Sequence, residues 1–211
     1  MQENNISHKR FKTHIVCKSI DLINKERIEF IKNLDKKEFM NSIHVDESSF
    51  DRNELKRYGY SKKSQEIKKI LKHKKNKERF TLLQAISQYG IVEYEILEGS
   101  VDAEIYLNFI KKIQKNPLNI DKKIYQDNAR IHHAIIVKKY CNEHNIKMMY
   151  NPAYTPEFNP IELIFGQLKS IYREVDHEFI QEGIIEAIET LNTNDFKKSY
   201  VHVWKIIEKF I

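Results

Sequence analysis

Apolar and polar residues alternate with different periods along the chain, and each change of period marks a predicted element. Five segments have the alternation or the apolar composition of β-strands: residues 42–46, 79–87, 91–97, 122–127 and 146–150. In the first segment His44 and Asp46 alternate with apolar residues, so their side chains are predicted to share one face. Gln88-Tyr89-Gly90, between the second and third segments, is typical of a hairpin turn.

Helical periodicity predicts six helices, at residues 22–39, 102–114, 130–144, 159–173, 177–191 and 195–209. Ile28, Ile31 and Leu34 have spacings close to helical, and Ile105, Phe109 and Ile113 form one apolar stripe. The side chains predicted to point inward are Ile161, Ile164, Leu168 and Ile171. From the first strand onward the order is strand, hairpin, helix, strand, helix, strand, helix. This order favours an α/β fold with a mixed sheet.

Length and composition narrow the class of protein. The 211 residues favour one domain with a substantial core, and 41% hydrophobic with 11% aromatic residues argues against a disordered chain. No apolar run approaches the roughly 18 residues that span a bilayer, and the polar residues 1–5 predict no secretory signal. The two cysteines, Cys17 and Cys141, have no metal-binding spacing and fit a reducing compartment.

Positive charge is concentrated in one segment. The chain has a formal net charge of +6, and residues 56–79 hold 11 Lys or Arg against Glu66 and Glu78, a local charge of +9. A solvated Lys-rich loop is one interpretation. We favour contacts with a phosphate backbone, because the charge is concentrated in one segment beside the first predicted strand, and such contacts give affinity without sequence choice. The predicted contact residues are Lys62, Lys63, Lys68, Lys69, Lys72, Lys74 and Lys75.

Three carboxylates lie at the ends of predicted elements. Asp46 and Asp127 end predicted strands, and Glu162 lies at the start of a predicted helix. Phosphodiester chemistry requires an activated attacking oxygen and a neutralised leaving oxygen, and two divalent cations about 3.5–4 Å apart provide both. Mg²⁺ and Mn²⁺ prefer carboxylate oxygens and water, and a Mg²⁺ site usually takes only one or two carboxylates. Three carboxylates therefore suffice for two ions.

Each carboxylate also has a purely structural interpretation. Asn159 and Pro160 suit the N-cap and first position of a helix, so Glu162 falls where a capping-box glutamate would lie. Asp127-Asn128 is favourable for a turn between a strand and a helix. Adjacent residues on a strand point to opposite faces, which predicts that only one of Asp46 and Glu47 joins the site.

The motifs around these carboxylates resemble the mariner-type and bacterial insertion-sequence DDE transposase superfamily. The matching segments are Val45-Asp46-Glu47-Ser48, Asp127-Asn128-Ala129 with His132, Tyr154-Thr155-Pro156-Glu157-Phe158-Asn159-Pro160-Ile161-Glu162, and the weaker Arg57-Tyr58-Gly59-Tyr60-Ser61 and Gly99-Ser100-Val101-Asp102. The 34 residues between Asp127 and Glu162 are a spacing typical of the superfamily. The resemblance covers roughly residues 15 to 205.

The resemblance implies an RNase H-like fold, with a five-stranded mixed sheet in which the first and fourth strands are neighbours. It implies that Asp46 bridges two Mg²⁺ or Mn²⁺ ions, with Asp127 on one and Glu162 on the other, and that Asn128 and His132 support them. Glu157, the nearest rival carboxylate, matches a family position that is not a metal ligand. The implied activity is cut-and-paste transposition, with hydrolysis at an element end and attack of the freed 3′-hydroxyl on target DNA. The alternatives are a truncated or domesticated remnant that binds DNA non-specifically, and a nuclease of the same fold.

The expected organisation is a basic arm and linker helix at 1–40, a catalytic domain at 41–175, and C-terminal helices at 176–211. Superfamily members usually carry helix-turn-helix modules before the first catalytic Asp, whereas 45 residues precede Asp46. Recognition of specific ends is therefore expected from a separate DNA-binding chain or a longer form. A homodimer is a further expectation, and no membrane partner is expected. The expected location is the cytoplasm of a prokaryote or the nucleus of a eukaryote, without secretion.

Overall fold

A computed structural model describes residues 20–51, 79–174 and 178–210 of the chain. The strands are β1 (Ile43–Asp51), β2 (Arg79–Ser87), β3 (Gly90–Glu98), β4 (Ile124–Gln126) and β5 (Met148–Tyr150). The helices are α1 (Ile20–Lys32), α2 (Lys36–Met40), α3 (Ala103–Lys115), α4 (Ile135–Glu143), α5 (Pro160–Glu174), α6 (Ile180–Thr190) and α7 (Thr193–Ile207). No helix among the described residues is long and apolar enough to cross a membrane.

The five strands form one sheet in the order β3-β2-β1-β4-β5. The first three strands are antiparallel neighbours, whereas β4 pairs in parallel with both β1 and β5. The predicted mixed five-stranded sheet is confirmed, and so is the expectation that the first and fourth strands lie side by side. Because β1 and β4 are parallel and His44 pairs with Tyr125, Asp46 and Asp127, each two residues further along the chain, come to lie side by side.

The two faces of the sheet bury separate apolar clusters, because successive side chains of a strand point to opposite sides. On one face Ile43 and Val45 of β1 pack with Tyr106 and Phe109 of α3 and with α4. The opposite face packs against α5, α6 and α7, with Leu82, Phe158, Leu168, Tyr200 and Trp204 among its buried members. His44 and Asp46 belong to this second face, as the alternation predicted.

The predicted helix over 22–39 is two helices. Helix α1 ends at Lys32, and Asp35 then caps α2. The Asp35 carboxylate accepts a hydrogen bond from the Glu38 backbone N–H at 2.9 Å. Within α1, Ile23 and Ile31 are buried, whereas Ile28 is 45% exposed. Only part of the apolar spacing that predicted this helix therefore faces the core.

The other predicted elements are present with shifted ends. The hairpin of β2 and β3 turns at the predicted place, where Gly90 has a φ of +139° that residues with a side chain rarely adopt. Strand β1 is longer than its predicted segment, whereas β4 ends at Gln126. The helix predicted over 130–144 begins with a short 3₁₀ turn at Arg130–His133, and α4 starts only at Ile135.

Candidate active site

Asp46, Asp127 and Glu162 line one open cavity of about 520 Å³. Asp46 comes from the middle of β1, Asp127 follows β4 directly, and Glu162 lies in the first turn of α5. The rest of the wall is formed mainly by the Pro-rich loop between β5 and α5, together with Asn128 and Ala129. Three carboxylates that are far apart in sequence thus meet at one place.

Two donors hold the Asp46 carboxylate. Its Oδ2 accepts from Asn159 Nδ2 at 3.0 Å, and its Oδ1 accepts from the Glu47 backbone N–H at 2.8 Å. Asn159 is buried immediately before α5, and its Oδ1 also accepts from the Ile161 N–H at 3.4 Å, so the same side chain caps the helix. One residue therefore ties the first carboxylate to the helix that carries the third.

Behind Asn159 lies a buried histidine. His44 Nδ1 is 3.1 Å from Asn159 Oδ1, and Nε2 is 3.1 Å from Ser42 Oγ. Burial lowers the pKa of His44 to about 3, so its ring is neutral at ordinary pH and carries one N–H. Asn159 Oδ1 can only accept, which assigns that hydrogen to Nδ1, while the Ser42 hydroxyl beside Nε2 donates its own hydrogen to the Phe39 carbonyl at 2.6 Å. The orientation of the Asn159 amide thereby fixes the tautomer of His44.

Asp127 is held from the other face of the sheet. Its Oδ1 accepts from His132 Nδ1 at 2.8 Å and from the Ala129 N–H at 3.0 Å. His132 is fully buried, and its Nε2 is 3.2 Å from Glu47 Oε1. Two donors occupy Oδ1, so Oδ2 is the oxygen of Asp127 with its full capacity to accept.

Of the adjacent pair Asp46-Glu47, only Asp46 lines the cavity, and Glu47 reaches the site indirectly. Glu47 does point to the opposite face, but there it contacts His132, which contacts Asp127. The ring of Tyr106 packs on the His132 ring at 4.3 Å between centroids, and the Tyr106 hydroxyl donates to Gln126 Oε1. The adjacent Asp46-Glu47 pair was the sequence signal that could have pointed to Glu47. Strand alternation instead suggested that the Glu47 side chain lies away from the site.

Glu162 lies at the predicted position in the first turn of α5, but the reciprocal half of a capping box is not made there. The Asn159 N–H donates to the Pro156 carbonyl at 3.0 Å instead of to the Glu162 carboxylate. Asn128 is exposed, lines the cavity, and hydrogen-bonds through its Oδ1 to His133 Nε2. The two residues expected to support the site therefore differ: His132 contacts Asp127, whereas Asn128 contacts the neighbouring histidine.

The carboxylates influence each other electrostatically. Burial raises the pKa of Asp46 well above its ordinary value, and the charges of Glu47, Asp127 and Glu162 add to this. Burial also raises the pKa of Glu162, while Lys169 opposes that shift and Asp127 adds to it. Both shifts disfavour the ionised form of these carboxyl groups, and a bound cation would favour that form instead.

His132 reverses this effect at Asp127. Burial works to raise the pKa of Asp127, but hydrogen bonds from His132 and Ala129 outweigh it and the pKa is lowered. Burial likewise works to lower the pKa of His132, yet its bonds to Asp127 and Glu47 raise the pKa to about 10. Asp127 therefore stays ionised beside a charged imidazolium.

The donor set fits hard divalent cations, because all three candidate ligands offer carboxylate oxygen. Across residues 20–51, 79–174 and 178–210, no three His, Cys, Asp or Glu side chains converge closely enough to hold a single ion together. Sites with one or two carboxylates per Mg²⁺, completed by water and phosphate, do not require such a triplet. The seven predicted DNA-binding lysines all fall in 52–78, outside the described residues.

The architecture is that of an RNase H-like catalytic domain. It aligns with the mariner Mos1 transposase in a paired-end complex with Mg, at a TM-score of 0.76 and 17% identity over 98% of this chain and 66% of that one. The Mos1 catalytic domain with raltegravir and Mg aligns at a TM-score of 0.70 and 15% identity, over 92% of this chain and 95% of that one. These likenesses show the fold.

The family follows from the sequence match. The model of the DDE superfamily endonucleases matches residues 41–182, well over half of the chain, and the chain belongs to this family. The Tc3 transposase of Caenorhabditis elegans is 24% identical over 122 residues, which is 54% of this chain and 37% of that protein. The chain thus spans little more than a third of the length of this relative. The predicted superfamily is confirmed.

Proposed function

We propose that this domain cleaves DNA strands and joins them to target DNA in a reaction that depends on divalent metal ions. The observation that carries the proposal is the meeting of Asp46, Asp127 and Glu162 in one open cavity. Membership of the DDE endonuclease family supports it, as does the likeness to Mos1 structures described as paired-end and strand-transfer complexes.

Each side chain has a separate part in the proposal. Asp46 would be a ligand of both ions, and Asn159 and the Glu47 N–H hold its carboxylate. Asp127, whose Oδ1 is fixed by His132, would hold one ion, and Glu162 would hold the other. When bound, Mg²⁺ or Mn²⁺ would activate the attacking oxygen and neutralise the leaving oxygen. The chain contributes positioning and charge stabilisation rather than a covalent intermediate.

The proposed partner is duplex DNA. The Lys-rich segment 56–79, with a local charge of +9, would hold its phosphate backbone without sequence choice. A homodimer and a separate end-recognising chain belong to the same proposal, and the paired ends named for the Mos1 complexes support the first of them.

A joining assay tests the proposal directly. The protein is given DNA from the flanks of its gene, with one set of ends already cut to expose a 3′-hydroxyl, and a supercoiled plasmid as target. We expect joined products with Mg²⁺ or Mn²⁺ and none with EDTA. Metal-dependent cutting without joining would identify a nuclease of the same fold, and the absence of both reactions would refute the proposed catalysis.

Loss of the Glu47 carboxylate is expected to weaken metal binding through His132. Glu47→Ala removes the partner of Nε2, so the ring is no longer fixed against Asp127, and outer contacts of this kind are worth about 10–100-fold in metal affinity. Mn²⁺ binding followed by electron paramagnetic resonance of the free ion measures the change. Glu47→Gln, which keeps an acceptor, should lose less, and the exposed Glu98→Ala should change nothing. An unaltered affinity in Glu47→Ala would contradict this role.

A further inference from the structure

Helix α1 lies against the loop that walls the candidate active site. Arg27 and Phe30, one helical turn apart, both contact this loop. Arg27 Nη2 is 2.7 Å from Glu157 Oε1 and donates to the Tyr154 carbonyl at 3.1 Å. The Phe30 ring stacks on Phe158 with centroids 6.3 Å apart and meets Tyr125 of β4 edge-on at 6.4 Å. A polar and an aromatic contact thus fasten the same loop.

The contact made by Arg27 is more than a surface ion pair. The side chains of Arg27 and Glu157 are only 20% and 33% exposed, so water screens the pair less than it would in the open. One guanidinium nitrogen serves both a carboxylate and a carbonyl, which adds a fixed direction to the attraction. Arg27 Nε is buried and finds no acceptor among the described residues. Burying this N–H without an acceptor costs free energy, which the two hydrogen bonds from Nη2 to the loop must offset.

The backbone that Arg27 holds is itself unusual. Tyr154 has a φ of +59°, in the left-handed region that residues other than glycine, Asn and Asp seldom adopt. Conformations of this kind persist only where surrounding contacts impose them. Arg27 binds the carbonyl of this same residue. Removing the guanidinium should therefore release the strained turn.

The loop connects the turn at Tyr154 to Asn159, which holds the Asp46 carboxylate. Tyr154, Thr155 and Pro156 line the cavity, and the next residues form a 3₁₀ turn that leads directly into Asn159, the donor to Asp46. The Phe158 and Asn159 amides donate to the Thr155 and Pro156 carbonyls at 3.0 Å. A shift of the turn would be passed through these two bonds to Asn159.

We infer that Arg27 is a positioning residue for the catalytic cavity, acting from α1 through Tyr154 and Glu157. The inference rests on the proposed function, since it assigns a role in that reaction to a helix outside the family match at 41–182. Arg27 touches neither Asp46 nor the other two carboxylates. Its effect is on the shape of the loop and on the placement of Asn159.

Hydrogen exchange of the loop tests the structural half of this inference. In Arg27→Ala, the Phe158 and Asn159 amides should exchange at least about tenfold faster, while amides of β2 and α3 keep their rates. Arg27→Lys should lie between this variant and the wild type, because it restores the charge and one donor but not the fixed geometry. Lys32→Ala, which removes an exposed charge from the same helix, is the matched control.

Strand cleavage kinetics test the functional half. Misplaced groups near a reacting centre cost up to about a hundredfold in rate. We expect kcat of Arg27→Ala to fall about tenfold or more, with the DNA concentration at half-maximal rate unchanged within twofold. Glu157→Ala, which breaks the pair from the loop side, should reproduce the loss if Arg27→Ala folds poorly.

The outcomes distinguish the positioning role of Arg27 from the proposed function of the domain. An active wild type whose Arg27→Ala and Glu157→Ala variants keep both loop exchange and kcat would overturn the positioning role alone. Faster exchange without a change in kcat would also overturn it, since the loop would then move without affecting catalysis. A wild type without metal-dependent cleavage would instead refute the proposed function.

Discussion

Replacing any one of Asp46, Asp127 and Glu162 by its amide is expected to reduce metal-dependent DNA cleavage by at least about a thousandfold. The three side chains are the candidate oxygen ligands of the cavity, and an amide keeps the shape while losing the charge that a divalent ion needs. Asp127 and Glu162 are exposed, so Asp127→Asn and Glu162→Gln should fold normally. Cleavage of labelled duplex in Mg²⁺ and Mn²⁺, with circular dichroism as a check on folding, measures the effect.

Glu157→Gln is the matched control for this series. Glu157 is a carboxylate of the same loop, but it pairs with Arg27 and does not line the cavity. An amide oxygen can still accept the Arg27 hydrogen bond, so most of the activity should remain. If Glu162→Gln kept near-normal cleavage while Glu157→Gln lost it, the assignment of the third ligand would be reversed.

Asn159→Ala is expected to damage both the fold and the chemistry. The substitution removes the cap of α5, worth about 0.5–2 kcal/mol, and leaves the buried His44 N–H without its acceptor, at about 1–3 kcal/mol. A decrease of about 1.5–5 kcal/mol in the free energy of unfolding follows from these two losses. Because Asp46 also loses its side-chain donor, cleavage should fall about 10–100-fold.

Urea unfolding followed by tryptophan fluorescence is suited to this measurement, since the single tryptophan, Trp204, belongs to the core cluster that also contains Ile161 and Ile164 of α5. Asn128→Ala provides the comparison, because Asn128 lines the same cavity but is exposed. It should lose less than about 0.5 kcal/mol, as exposed positions usually do. Equal stability of the two variants would show that the hydrogen bonds of Asn159 contribute little to folding.

Much of the architecture followed from local pattern. Apolar alternation located all five strands, and the order of elements indicated the mixed sheet, because those signals depend on neighbours a few residues apart. The motifs at Asp127 and at Tyr154 to Glu162 identified the family, since their residue types and spacing are specific. The roles of the three carboxylates and of the Lys-rich segment stay predictions.

What the sequence did not reveal depends on contacts between distant segments. Neither the path from Glu47 through His132 to Asp127 nor the bond from Arg27 to Glu157 has a local signature. Alternation on β1 correctly put Glu47 on the opposite face, but it could not show that a histidine from another segment lies there. The burial of Ile23 in place of Ile28 likewise depends on how α1 crosses the core.

The pairing of strands has a consequence for how the domain acquires its active form. The β2–β3 hairpin closes over a two-residue turn, a fast and local event, whereas β1 must find β4 across most of the domain before Ile43 meets Ile124. Asp46 and Asp127 become neighbours only at that late, entropically expensive step. The β1–β4 pairing, which brings the carboxylates together, is the least local pairing of the sheet. Each of β4 and β5 is only three residues long. During synthesis, the nascent chain therefore does not carry the assembled candidate active site until α5 has emerged.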